Sequence, residues 1–157
     1  MSAALLFVGD IHLGRTPVKL RAALQDESLL RQLGPVAALH NCVEAAIRHE
    51  VRAVVLAGDV VDHHKDRFEG FSVLVKELGR LSDAGIPCYA IAGNHDVEVL
   101  PRLAERLGGG LRLIGAGGTW ERVELLGEEH PLDLLGWSFG RARETRDPTE
   151  DPSLWRA

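Results

Sequence analysis

Leu5-Leu6-Phe7-Val8-Gly9-Asp10-Ile11-His12-Leu13-Gly14 is an apolar run that ends by presenting a carboxylate and an imidazole two residues apart. The run reads as a fully buried strand over residues 4–9, with Gly9 allowing a sharp exit. An Asp-x-His triplet alone is a weak signal, since many such triplets lie in surface loops. Two later apolar runs end in the same manner. Arg52-Ala53-Val54-Val55-Leu56-Ala57 leads into Gly58-Asp59-Val60-Val61-Asp62, and Ile86-Pro87-Cys88-Tyr89-Ala90-Ile91-Ala92 leads into Gly93-Asn94-His95-Asp96. Three strand ends that carry oxygen and nitrogen donors make a site.

The segments between these runs have a helical period. Val36, Leu39, Val43 and Ile47 recur at three- to four-residue spacing, with Glu44, Arg48 and Glu50 opposite and His40 near the apolar edge as a packed histidine rather than a ligand. Phe71, Leu74, Val75, Leu78 and Leu81 form a second stripe, with Lys76, Glu77 and Arg80 assigned to water and Gly85 to the carboxyl-terminal cap. A βαβαβ order follows, with parallel strands. In such a sheet ligands bind beyond the carboxyl ends of the strands, which puts all three donor loops at one edge. A shorter helix over 97–107 is stopped by Gly108-Gly109-Gly110. The alternating stretch 119–125 and a strand over 132–139 around Gly136 then open a second sheet. Residues 15–34 read as an irregular excursion beside the site, and residues 140–157 as a polar loop or frayed tail.

Composition narrows the function classes. With 157 residues the chain is one domain, and 45% hydrophobic with 26% charged residues is ordinary globular composition. A formal charge of −5 argues against a broad basic nucleic-acid footprint, though bound divalent ions would supply positive charge locally. Aromatic content of 5% argues against an extensive base-stacking platform. Cys42 and Cys88 lie far apart in apolar contexts and read as small buried hydrophobes. Nothing at the amino end reads as a signal peptide, and no run approaches the ~18 apolar residues of a membrane helix. The expectation is a cytoplasmic protein with no membrane partner.

The donor set speaks to the ion. Carboxylate, imidazole and amide oxygen together suit borderline divalent ions such as Mn²⁺, Zn²⁺ or Fe²⁺. The absence of cysteine from all three loops argues against a structural zinc site. Gly58 and Gly93 are read as letting the backbone turn sharply before each ligand.

The ordered motifs Asp10-Ile11-His12, Gly58-Asp59-Val60-Val61-Asp62 and Gly93-Asn94-His95-Asp96 resemble the first three motifs of the calcineurin-like metallophosphoesterases. With Leu13-Gly14 after the first motif, and residues 86–92 before the third, the wording is similar to the SbcD-like DNA repair exonuclease branch. The likeness covers residues 4–139, a partial metallophosphoesterase domain of residues 1–139 with residues 140–157 outside it. The family fold is a four-layer αββα sandwich, of which these residues would supply the first half, βαβαβ, and the start of the second sheet.

The resemblance implies roles by position. Asp10 and His12 would bind a first metal, Asp59 would bridge two, and Asn94 would bind the second. His95 would be the general acid or transition-state stabiliser, with Asp96 holding its ring, and Asp62 would orient the loop. His63 is the neighbouring histidine placed to reach a substrate phosphate; His63 and His64 otherwise read as solvated loop residues beside Lys65, Asp66 and Arg67. The cofactors implied are two divalent ions, Mn²⁺ first, with Zn²⁺, Fe²⁺ and Mg²⁺ as alternatives. The activity implied is phosphodiester hydrolysis by a metal-activated hydroxide, as a DNA exonuclease or endonuclease. An SbcC-type ATPase is the partner implied, and a homodimer is compatible with the family.

The sequence also departs from the family pattern. Family members complete the metal site with three further histidines, two of them in a Gly-His-x-His motif. Of the seven histidines here none lies beyond His130, which precedes a strand rather than following one. The expectation is therefore a fragment of a longer protein with little activity of its own. The competing readings are another calcineurin-like phosphatase or phosphodiesterase, and a degenerate, non-catalytic binding module.

Overall fold

In the computed structural model, residues 4–15, 32–62, 67–125 and 132–155 are described. Four parallel strands form the first sheet in the order β1 (Leu5–Val8), β2 (Ala53–Ala57), β3 (Cys88–Ile91) and β4 (Arg112–Leu113). The register pairs Leu5 with Ala53, Val54 with Cys88 and Tyr89 with Arg112. Each crossover carries a helix: α1 (Pro35–Arg48), α2 (Arg67–Asp83) and α3 (Leu100–Leu107). The βαβαβ order expected from the apolar runs is present, and the two-residue β4 extends it.

Local chemistry explains the boundaries. Pro35 opens α1 at a position where its missing N–H is no loss. Gly108 closes α3 in the left-handed region at φ 52°, where a residue without Cβ is unstrained. The core lies between the sheet and these helices, built from Leu39 and Val43 of α1, Leu74, Leu78 and Leu81 of α2, and Leu100 and Leu103 of α3. Val54 and Leu56 of the central β2 join them. No helix among the described residues is long and apolar enough to cross a membrane.

Three readings change. β1 is not fully buried: among the described residues it pairs only with β2, and Phe7 is 57% exposed, as befits an edge strand. Glu77, assigned to water from the helical period, is buried at the seam between α1 and α2. It tolerates burial because His40 Nδ1 lies 3.1 Å from one oxygen and Arg80 donates to the other at 2.7 Å. The third change concerns the tail. Pro148–Glu150 and Pro152–Trp155 form two 3₁₀ turns seated on β5 (Trp120–Glu124). The Trp120 indole Nε1 donates to the Pro148 carbonyl at 2.7 Å, and the Trp120 amide donates to Ser153 Oγ at 2.8 Å.

β5 pairs antiparallel with β6 (Asp133–Trp137) as a second, two-stranded sheet. Gly136 is required where β6 crosses the first sheet, since a Cβ there would stand 2.7 Å from the Ile114 side chain. Beyond β6 the chain lies along the end of β3. Phe139 N donates to the Ala92 carbonyl at 2.9 Å, and Ser138 Oγ accepts from the Ala92 amide at 2.9 Å. This return brings the carboxyl end of β6 to the edge where the donor loops lie.

Candidate metal centre

The first two donor loops run side by side. Asp10 N donates to Gly58 O, His12 N to Asp59 O at 2.9 Å, Leu13 N to Val60 O at 2.8 Å, and Asp62 N returns to Leu13 O at 3.0 Å. Apolar anchors aim the polar side chains. Ile11 and Leu13 are buried on either side of His12, and Val60 and Val61 are buried between Asp59 and Asp62.

That arrangement forces strain. Asp10, His12 and Asp59 sit at φ 53°, 50° and 51°, in the left-handed region where a Cβ crowds the backbone. Strain of ~1–3 kcal/mol per residue persists only where the surroundings over-determine it, and it gathers at functional sites. Gly58 also has positive φ, 86°, as a sharp exit requires. Gly93 serves differently from the turn expected of it, because its φ is not positive. A Cβ there would stand 2.6 Å from the Asp59 amide and collide with Asp59 Oδ1, so glycine permits two loops to touch.

Asp10, His12 and Asp59 each bring one ligand atom into a group whose atoms lie within 4.8 Å of one another, and so do His12, Asp62 and His95. His12 belongs to both groups, whereas the resemblance gave the shared position to Asp59. The two imidazoles meet edge to face with ring centroids 5.1 Å apart. Asn94 lines a cavity of about 170 Å³ with Asp10, Asp59 and Gly93. His63 lies outside the described residues, as do His64 and His130.

Asp96 does not hold the His95 ring. Its carboxylate is fully buried and accepts from the amides of Val60 and Gly93, each at 2.6 Å, tying the second loop to the third. Burial pushes its carboxyl up to about 6 against the pull of those amides, with the Asp59 charge adding to the rise. The carboxylate beside the ring is Asp62, whose Oδ1 lies 3.4 Å from His95 Nδ1. His95 is instead held to the second loop through its backbone, its amide donating to Asp59 Oδ1 at 3.2 Å.

The donor set fits a divalent ion on an observation independent of motif. His12 Nδ1 is buried and has no hydrogen-bond partner, whereas His95 Nδ1, also buried, has Asp62 Oδ1 facing it at 3.4 Å. An unpartnered buried imidazole nitrogen is costly unless something absent from the polypeptide completes it. Among the described residues Asp59 forms no ion pair with lysine or arginine, and Asp62 has Arg15 at 3.8 Å. Cys88 takes no part: it is buried at the start of β3, at the other end of the strand from Asn94, and burial pushes its thiol up to about 12.

The profile of the calcineurin-like phosphoesterases matches residues 3–155. The chain is a calcineurin-like phosphoesterase. Family members are phosphoester hydrolases, and the strand-end donors stand where the fold expects a site. Among curated proteins, the chain is 28% identical over 91 residues to the DNA double-strand break repair protein Mre11 of Methanopyrus kandleri, a match covering 58% of this chain and 18% of that protein. It is 32% identical over 93 residues to the Mre11 of Sulfurisphaera tokodaii, covering 59% of this chain and 22% of that one. The UDP-2,3-diacylglucosamine hydrolase of Porphyromonas gingivalis is 34% identical over 73 residues, with 44% of this chain and 28% of that protein covered. The phosphoesterase chain thus matches about a fifth of the length of the two Mre11 relatives.

Three residues at the cavity of this calcineurin-like phosphoesterase are not legible from the sequence motifs. Trp137 and Phe139 line the cavity, and buried Ser138 stitches the strands behind it. The only signal was the alternation of aromatic and small polar residues after Gly136.

Proposed function

We propose that this phosphoesterase hydrolyses phosphodiesters, with DNA as the substrate, in the manner of the SbcD-like nucleases. The observation that carries the reading is the buried, unpartnered imidazole nitrogen of His12 beside Asp10 and Asp59, with Asp62 and His95 in the adjoining group. Asp10, His12, Asp59 and Asn94 would hold two divalent ions, Mn²⁺ first. Such ions, when bound, activate water near neutral pH and neutralise charge on the phosphoryl oxygens.

The chain's own residues supply the rest. Asp62 faces His95 Nδ1, which leaves Nε2 for the substrate side. As the water oxygen bonds to phosphorus and the ester P–O bond breaks, the departing alkoxide takes the Nε2 proton of the His95 imidazolium, and the proton shed by the water restores it. Asp62 is therefore the positioning carboxylate of His95, and Asp96 keeps the loops of Asp59 and Asn94 together. The Mre11 relatives, named for DNA double-strand break repair, favour DNA. An SbcC-type ATPase partner belongs to the same reading.

A second reading, a small phosphate ester as substrate, is favoured by the likeness to UDP-2,3-diacylglucosamine hydrolase. The test is hydrolysis of duplex DNA and of a small phosphodiester by the protein that carries this chain, with and without Mn²⁺. Mn²⁺-dependent DNA cleavage lost on Asp59→Ala is expected. Cleavage that survives Asp59→Ala would overturn the assignment, and turnover of the small ester alone would favour the second reading.

A further inference from the structure

A site that recognised phosphate alone would be walled by N–H donors and cations. One wall of this cavity is aromatic. Trp137 and Phe139 line it together with Asp10, Asp59 and Asn94, in a chain that has only three tryptophans and four phenylalanines. Their placement follows from the return of the chain past β6. Ser138 turns inward, accepting from Ala92 N and donating to Ile114 O at 2.5 Å. The residues on either side of it project the other way, toward the cavity. The rings are 5.2 Å apart between centroids and inclined at 64°, an edge-to-face contact that fixes one against the other. Phe139 is half-buried and Trp137 is 8% exposed, so Phe139 offers the more accessible surface of the two and Trp137 packs against it.

A flat aromatic ring lining the same cavity as Asp10, Asp59 and Asn94 matches a nucleotide, in which one sugar links a charged group to a flat base. Every base has a π-face, so stacking of this kind tolerates any sequence. We propose that Trp137 and Phe139 form a nucleobase subsite, in which Phe139 contacts the base of the nucleotide whose phosphate lies at the Asp10, Asp59 and Asn94 edge. The inference rests on the phosphodiester reading for its phosphate position and adds the group beside it. The two residues would bias the site toward nucleotidyl phosphates over phosphates on a bare sugar or an alkyl chain.

The test is equilibrium binding by calorimetry to this chain in the presence of Mn²⁺, with deoxyadenosine 5′-monophosphate, deoxyribose 5-phosphate and n-octyl phosphate as probes. The nucleotide is expected to bind roughly ten-fold tighter than the sugar phosphate. Phe139→Leu, which keeps an apolar side chain, should remove most of that margin and leave the sugar phosphate unchanged. Trp137→Phe should narrow it less, and circular dichroism of both variants reports whether they fold. Equal affinity for nucleotide and sugar phosphate would overturn the subsite, as would a margin untouched in Phe139→Leu, absence of nucleotide binding, or an equal preference for octyl phosphate. The two proposals fail separately. A protein that cleaves phosphodiesters but shows no base margin loses the subsite, and one with the margin but no cleavage loses the enzyme reading.

Discussion

Two clusters of carboxylates and imidazoles occupy this molecule, and they differ in how fully their partners are accounted for. At the helix seam, Glu77 is buried with His40 on one oxygen and Arg80 on the other, while Arg80 also reaches Glu44. At the carboxyl edge of the sheet, His12 has a buried Nδ1 without a partner, and three residues are held at positive φ. Both combine carboxylates with imidazole, but the seam adds the Arg80 guanidinium. The seam cluster is complete within the polypeptide and joins α1 to α2; the edge cluster is strained, open and incomplete. Burial of polar groups is tolerated where they are satisfied, so lasting incompleteness marks a place where something else binds.

The comparison can be broken first at Asp96, the one fully satisfied carboxylate of the edge. Asp96→Ala leaves the buried amide of Val60 and the part-buried amide of Gly93 without an acceptor and should cost about 3 kcal/mol of unfolding free energy. Chemical denaturation measures this. A loss no larger than that of a surface substitution would mean that the two loops are not tied through Asp96.

At the seam, Glu77→Gln should cost about 1.5 kcal/mol at neutral pH, with Mn²⁺ binding unchanged. Burial pushes the Glu77 carboxyl up, but the hydrogen bonds from His40 and Arg80 outweigh it and hold the group below its ordinary 4.5. A lowered folded value means stability that is present above pH 4.5 and lost as pH falls through the folded value. The gap between wild type and Glu77→Gln should therefore close on acidification. A gap constant across that range would contradict the ion-pair account.

The smallest effect has the opposite sign. Asp10 is exposed at its side chain and strained at φ 53°. Asp10→Gly should raise the stability of the metal-free chain by about 1 kcal/mol while weakening Mn²⁺ binding. Equal or lower stability in the variant would remove strain from the case for the edge cluster.

What could be read from the sequence follows from topology. Parallel strands joined by helices must end at one edge, so Asp10, His12, Asp59 and Asn94 could be gathered there from order alone. Side-chain pairing was not legible in the same way. Asn94-His95-Asp96 does not say that Asp96 turns inward to two amides while Asp62, from another loop, faces the imidazole. Helical period assigned Glu77 to water because it stands beside the apolar stripe. It could not register that α1 covers that flank and brings His40. Trp137 and Phe139 escaped notice because their place depends on where β6 exits against β3, a long-range contact without a local signature. Residues 140–157 have no apolar period and read as a polar loop or frayed tail; the turns at 148–150 and 152–155 within them are held by polar contacts to Trp120.

The central claim is that the edge cluster is a divalent-metal centre, and calorimetric titration of this chain with Mn²⁺ tests it most directly, beside Asp59→Ala. The account predicts saturable binding to the wild-type chain that is lost in the variant. Indistinguishable heats in the two proteins would contradict it.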